Sequence, residues 1–425
     1  MRKILLATTA LAAFAGFASA ANAQITVTLG GYTEFFGAIY DNDSVVNGTS
    51  REFQLETEIV VKADGKADNG LLYGAKVELQ NSTTSSVGTD EASVYLAGFW
   101  GRAELGDFDG AADTLAIFAP VVGVEGIDGD YIDFVGGLPS GSLVKTPDSS
   151  DATKVMYVTP RVAGFQAGFS YTPENGSEAQ GVVGTKNASN YSDFLEYGLN
   201  YANTFSGVSV AASATGTSAN GKGTGASTIA GVPPTELKNF STWQVGAQVG
   251  YAGFKVGGGY FDADDFNVRA GTSSGDQHAW NAGASYTSGP VAVALNYADA
   301  EGYKTATSYA EEYQVYGVSG AYTIAPGLLL QSDLMFVDEE LKASAAATAK
   351  RDSDSYVWLI STRVNFSGIA GLTTGISGAF GYGAVVKTTA PISFPPLMAK
   401  LCHGQRLRAP PASRNPVDVI TCVIT

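Results

Sequence analysis

Apolar and polar residues alternate with a period of two along most of this chain, the repeat of a strand whose two faces meet different surroundings. The clearest case is WQVGAQVGYAGFKVGGGY, Trp243 to Tyr260, where Trp243, Val245, Ala247, Val249 and Tyr251 share one face. Gln244, Gly246, Gln248 and Gly250 fall on the other. After a short turn Phe254, Val256, Gly258 and Tyr260 continue the pattern, so the segment reads as a hairpin. Similar units recur at 161–173, 199–210, 284–297 and 320–330, each with an aromatic or apolar strand end beside a Gly- or Pro-containing turn. Tight turns on one side alternate with long connections rich in Ser, Thr, Gly and Asp on the other, at 41–50, 82–89, 173–192, 216–238, 263–275, 299–310 and 338–353. That asymmetry belongs to barrels that cross an outer membrane.

The alternation predicts strands at 25–40, 51–62, 71–80, 91–98, 101–107, 153–159, 164–172, 193–203, 207–215, 241–251, 254–262, 277–287, 290–298, 312–323, 327–337 and 354–366. Sixteen is an even number, which lets a closed antiparallel sheet pair its last strand with its first and leave no edge in hydrocarbon. In the last span Tyr356, Trp358, Ile360, Thr362, Val364 and Phe366 point outward, with Leu359, Ser361, Arg363 and Asn365 inward.

One stretch breaks the rhythm. Between the fifth and sixth spans, Phe108 to Ala152 forms a connection too long for a compact domain unless it has a function or is disordered. It holds Leu115, Ile117, Phe118, Val121, Val122, Tyr131, Ile132 and Phe134, so it is expected to pack. It also carries eight acidic side chains from Asp109 to Asp151 against the single base Lys145. A loop folded into a pore, presenting carboxylates to what passes, satisfies both features.

Composition narrows the setting. Arg2 and Lys3, the apolar run Ile4 to Ala20 and the Ala21-Asn22-Ala23 site read as a secretory signal peptide over residues 1–23. Its removal takes the formal charge from -16 to -18, which argues against nucleic acid as a partner. No later run of about 18 apolar residues offers a membrane helix. Both cysteines, Cys402 and Cys422, lie near the C-terminus, so the body of the chain is no disulfide scaffold.

The opening strand ITVTLGGYTEFFGAIYDND, the segment GFWGRAELGDFDGA leading into the loop, KVMYVTPRVAGFQAGFSY leaving it and the strand closing on Phe366 together resemble the trimeric general porins of Gram-negative bacteria, over residues 1–366. The resemblance implies an all-β, sixteen-stranded antiparallel transmembrane barrel at residues 24–366. It also implies that the loop after the fifth strand bends inside as the constriction, and that three copies associate in outer-membrane lipid. The chain departs from the family after Phe366, where members end on an aromatic residue. Residues 367–425 continue, and from Ala390 they hold six prolines, both cysteines and three arginines. A changed reading frame or an appended segment would each produce such a shift.

The candidate constriction residues are Glu125, Asp128, Asp130 and Asp133 in VEGIDGDYID. A solvated acidic loop outside the barrel is the plainer alternative. No cofactor is expected, although calcium would suit the oxygens of Asp128 and Asp130; the spacing does not match an EF-hand. Alternation places Glu34, Glu56, Glu58, Lys62, Lys76, Glu78, Arg102, Glu104, Lys154 and Arg363 on the inner wall. Charges there avoid the roughly 2–4 kcal/mol of facing lipid at the midplane. Lys76, Arg102, Lys154 and Arg363 are the candidates for a basic side opposite the loop, and a field between the two would orient polar solutes. Catalysis finds little support: His278 and His403 are the only histidines, and the GTSSG at 271–275 lies in a Ser/Gly loop, not a strand-to-helix elbow.

The expected function is passive diffusion of small hydrophilic solutes and ions across the outer membrane, with mild cation preference. The alternatives are a solute-specific channel with a weak binding site, a barrel enzyme and an adhesin.

Overall fold

A computed structural model of the chain describes residues 25–42, 48–81, 86–122, 126–127, 129–135, 145–182, 184, 190–224, 235–268, 270, 276–304, 309–342 and 350–370. Contacts divide the chain into Met1–Thr374 and Gly375–Thr425, and every described residue belongs to the first unit. The signal-peptide segment and the atypical stretch after 370 lie outside the described residues.

Sixteen strands form one closed antiparallel sheet in sequence order. They are β1 (Thr26–Asn42), β2 (Arg51–Lys66), β3 (Leu72–Asn81), β4 (Val87–Gly98), β5 (Gly101–Asp107), β6 (Thr153–Val158), β7 (Phe165–Glu174) and β8 (Tyr191–Phe205). There follow β9 (Val208–Gly221), β10 (Phe240–Tyr251), β11 (Phe254–Asp264), β12 (His278–Ser288), β13 (Val291–Lys304), β14 (Tyr309–Ala325), β15 (Leu328–Lys342) and β16 (Lys350–Ala370). A two-residue ribbon, Gly223–Thr224 with Thr235–Glu236, stands apart from the barrel sheet. β1 pairs with β2 on one side and β16 on the other, from Val27↔Ala370 to Asn42↔Ser355, so backbone donors and acceptors are satisfied around the ring.

The usual burial rule is inverted on these strands. Trp243 and Tyr251 are 49% and 62% exposed, while Thr242 and Gln244, on either side of Trp243, are 3% and 1% exposed. Aromatic residues outside and amides inside fit hydrocarbon around the sheet, not a second sheet packed on it. Rings near the strand ends associate laterally on the outer face: Phe254 with Tyr286 at 4.3 Å, Trp280 with Tyr297 at 4.8 Å and Tyr297 with Tyr316 at 4.8 Å. Such pairs form the interfacial girdles expected of a barrel in lipid.

The strands mostly outrun the sequence-based spans, because pairing carries the ladder beyond the lipid-facing stretch into the polar connections. β16 starts at Lys350 and continues past Phe366 to Ala370, with Ser367, Gly368, Ile369 and Ala370 opposite Gly30, Leu29, Thr28 and Val27. Phe366 therefore sits within the closing strand and not at its end.

Candidate pore loop and inner wall

The connection from β5 to β6 contains two single-turn helices, α1 (Ala111–Thr114) and α2 (Ile132–Val135). Its apolar side chains join the largest hydrophobic cluster among the described residues. Ile127, Tyr131 and Val135 are buried with Ala38, Tyr40, Tyr313, Val315, Met335 and Leu359 from the strands, and Phe118, Ile132 and Phe134 pack against them. The loop thus buries its apolar face on the part of the wall built from β1 and β11–β16.

Its backbone is tied to side chains from the buried face of other strands. The amides of Ala111, Ile117 and Ala119 donate to Ser170 Oγ at 3.0 Å, Ser213 Oγ at 2.8 Å and Asn281 Oδ1 at 2.8 Å. Thr146 N donates to Gln244 Oε1 at 3.1 Å, and Gln248 Nε2 donates to the Phe118 carbonyl at 2.7 Å. Close approach is allowed by missing side chains. A Cβ on Gly246 would stand 1.6 Å from the Ile117 oxygen, and one on Gly168 or Gly198 would stand 2.8 or 3.0 Å from Leu115 Cδ1. Gly168 and Gly198 are register partners, as are Gly246 and Gly259, so the wall offers paired smooth spots to segment 115–119.

Two buried charges hold the neck of the loop. Lys154 Nζ donates to the carbonyls of Phe108 and Ser150, one at each end of the loop. Glu196 accepts from Ala112 N at 3.3 Å and Ser149 N at 3.2 Å, and from the Ser149 hydroxyl. Acids crowd around them. Burial, with Asp113 adding to it, pushes the Asp109 carboxyl up to about 8. Burial and the neighbouring Glu196 push Asp148 up to about 7. Asp151 is also raised, by burial and then Asp90.

Of the predicted constriction acids, Glu125 and Asp128 lie outside the described residues. Asp133 is exposed on α2 and accepts from Gln54 Nε2 of β2 at 2.6 Å. Asp130, half-buried, precedes α2, where its carbonyl accepts from Asp133 N at 3.1 Å. Among the described residues no three His, Cys, Asp or Glu side chains gather to hold a metal.

The wall residues fall into ion-paired groups. Glu34 is fully buried and accepts from Arg363 Nη1 at 3.1 Å, whose guanidinium lies 3.4 Å over the Tyr32 ring. Glu56 accepts the Tyr32 hydroxyl, and Glu58 stands opposite Tyr32 on the next strand. Lys76 lies between Glu78, at 2.7 Å, and Glu91. Arg102 reaches Glu104 at 2.9 Å and stacks 3.8 Å over Tyr95, while Ser93 donates to Glu104 at 2.6 Å. The four expected bases therefore do not form one open basic side. Lys76, Arg102 and Arg363 each have a wall carboxylate, and Lys154 is covered beneath the loop because its ammonium satisfies the neck carbonyls.

Glu196 and the glycine seats are the functional positions that alternation left unmarked. The signal was faint: Phe194, Glu196 and Gly198 share one face in YSDFLEYGLN, a lone carboxylate beside a residue with no side chain. His278 stands beside Glu301, Nε2 to Oε2 3.4 Å, and stacks 6.2 Å from the Tyr260 ring. The GTSSG motif lies outside the described residues.

Comparison with known proteins agrees with this architecture. Residues 7–342 match the sequence model of the Gram-negative porin family. The anion-selective porin of Comamonas acidovorans is similar in structure, with a TM-score of 0.59 at 17% identity over 81% of this chain and 100% of that one. OmpT of Vibrio cholerae, in its trimer form, gives 0.56 at 12% identity over 81% and 100%. An uncharacterized protein of Rickettsia felis is 24% identical over 393 residues, covering 76% of this chain and 88% of its own. With the family matched over most of its length, and with a closed sixteen-stranded barrel carrying aromatic residues outward, the chain belongs to the Gram-negative porins, the channel-forming β-barrels of the outer membrane.

Proposed function

We propose that this barrel is a passive channel for small hydrophilic solutes and ions, narrowed by the loop between β5 and β6 and mildly selective for cations. The observation that carries the reading is the bonding of the loop backbone to polar side chains of the buried strand faces on β7, β9, β10 and β12. A loop attached in that way lies across the lumen and leaves the acid-rich wall of β2–β5 facing the passage. There Glu56, Glu58, Glu78, Glu91 and Glu104 outnumber Lys62, Lys76 and Arg102, so the passage carries net negative charge. Charge of one sign in a narrow aqueous path raises the local concentration of the opposite ion.

In this reading the leader 1–23 is removed on export and three chains associate in outer-membrane lipid, without catalysis. Asp130 and Asp133 face the passage from the loop. The selectivity of the Comamonas acidovorans porin does not carry over, since at 17% identity the likeness is one of fold. Reversal potentials across planar bilayers in a salt gradient test the proposal. A potential of the sign for cations, shrinking as salt screens the wall, is expected; anion preference at low salt rejects it.

A further inference from the structure

Next to the point where Gln248 ties the loop to β10, the inner wall opens into a cavity of about 340 Å³ on β8–β11. The inward side chains that line it are Thr204, Ser209, Gln248 and Lys255, with Ala202 and Ala211 as its floor. Strand register brings them together. Thr204 pairs with Ser209, Ser209 with Gly250 and Gly250 with Lys255, so these residues form one row across four strands. Ala202, Ala211 and Gln248 form the neighbouring row. The hollow exists because the row has no side chain at Gly250, where a Cβ would stand 2.5 Å from Ser209 Oγ. It lies beside the tight turns after β8 and β10, the end of an outer-membrane barrel that faces the periplasm.

Lys255 is the only charged side chain on the inward faces of β9–β12, so no carboxylate on those strands answers it. Its neighbours narrow what would. Gln248 Nε2 is committed to the Phe118 carbonyl at 2.7 Å, which leaves Oε1 to accept. The Ser209 hydroxyl donates to the Gly250 carbonyl at 3.3 Å and keeps its oxygen as an acceptor. One ammonium beside two acceptors is matched by a molecule with a carboxylate and adjacent hydroxyl groups, since the hydroxyls donate where a bare inorganic anion would only repel. The volume is at the small end of ligand sites, room for one molecule of monosaccharide size.

We propose that this pocket binds a small hydroxylated carboxylate of the sugar-acid class, between the constriction and the periplasmic mouth. It rests on the reading of the lumen as an aqueous passage, though not on cation preference, because the acid-rich wall is on β2–β5 and the pocket on β8–β11. Lys255 is exposed and shares its charge with water, so binding is weak, with half-saturation in the millimolar range.

The test uses potassium gluconate with the full chain folded in detergent micelles, read by saturation-transfer NMR of the gluconate protons. A saturable signal is expected, with D-glucose, which lacks the charge, and acetate, which lacks the hydroxyls, each binding about fivefold more weakly. Lys255→Gln should weaken gluconate by about the same factor. Ala211→Leu, which fills the pocket and keeps the lysine, should do so too. Arg51→Gln, an equal change of charge on an exposed base at the far end of β2, should bind as the wild type does. If Ala211→Leu does not fold, Lys255→Gln decides together with glucose and acetate. Wild-type affinity in Lys255→Gln overturns the proposal, as does full binding by a folded Ala211→Leu, the mark of a lone surface charge. No saturable signal from a protein that conducts ions in bilayers overturns the pocket alone. A folded protein that conducts nothing overturns the passage, and this proposal with it.

Discussion

Glu34 and Arg363 face each other across the seam where the first strand meets the last, with Oε2 and Nη1 3.1 Å apart. The pair joins residues 329 positions apart and lies where ring closure leaves no second chance for pairing. Its two members are not equivalent. The Glu34 side chain has 0% exposure, whereas that of Arg363 keeps 15% and stacks on Tyr32.

Removing the base should therefore do more harm than removing the acid. Arg363→Leu strands a carboxylate with no access to water and is expected to cost about 3–5 kcal/mol of barrel stability. Glu34→Gln leaves a guanidinium that water can reach and should cost less. Urea midpoints of the detergent-folded protein give the order, and the double variant should recover part of the Arg363→Leu loss.

Gly246→Ala tests the seating of the loop. The added methyl would stand 1.6 Å from the Ile117 carbonyl oxygen, so segment 117–119 must move off the wall toward the passage. The barrel is expected to fold, as heat-dependent gel mobility would show, with single-channel conductance below that of the wild type. Unchanged conductance would mean that the loop does not set the bore.

Lys154→Met should loosen the neck. The carbonyls of Phe108 and Ser150 lose their shared donor, and each unsatisfied buried acceptor costs about 1–3 kcal/mol. Faster protease nicking between residues 108 and 152, with noisier open-channel current, is the expected outcome. Mass spectrometry of the fragments locates the cut.

Acidification should tighten the neck and weaken cation preference. Asp109 at about 8 and Asp148 at about 7 lie above the ordinary carboxylate value of 3.8 that they would have in the unfolded chain. Between that value and the raised ones the folded loop binds more protons, so stability falls as pH rises across the window. The proton-linked stabilisation is complete below 3.8 and gone above about 8. Reversal potentials should thus report less cation preference at pH 6 than at pH 9, and Asp109→Asn with Asp148→Asn should flatten the difference.

The barrel was legible because lipid and water impose opposite demands on successive residues. Trp243, Val245 and Val249 against Gln244 and Gln248 already set which face is which, and an even number of such strands already implied closure. Alternation put Glu34, Lys76, Arg102 and Arg363 on the inner wall for the same reason, since they would be expelled from hydrocarbon. Alternation is a local property, and it assigns a face without naming a neighbour. It therefore could not show that Lys76, Arg102 and Arg363 are each answered by a wall carboxylate.

What the sequence by itself determined is the ladder of two-faced strands and the existence of one loop too apolar to float. Only the tertiary structure decided where that loop rests. The seats at Gly168, Gly198 and Gly246 and the neck held by Lys154 and Glu196 each join residues far apart in the chain. The physical reason is that a period of two is enforced residue by residue by the solvent. The approach of a loop to a wall depends on which strands the closed ring brings beneath it.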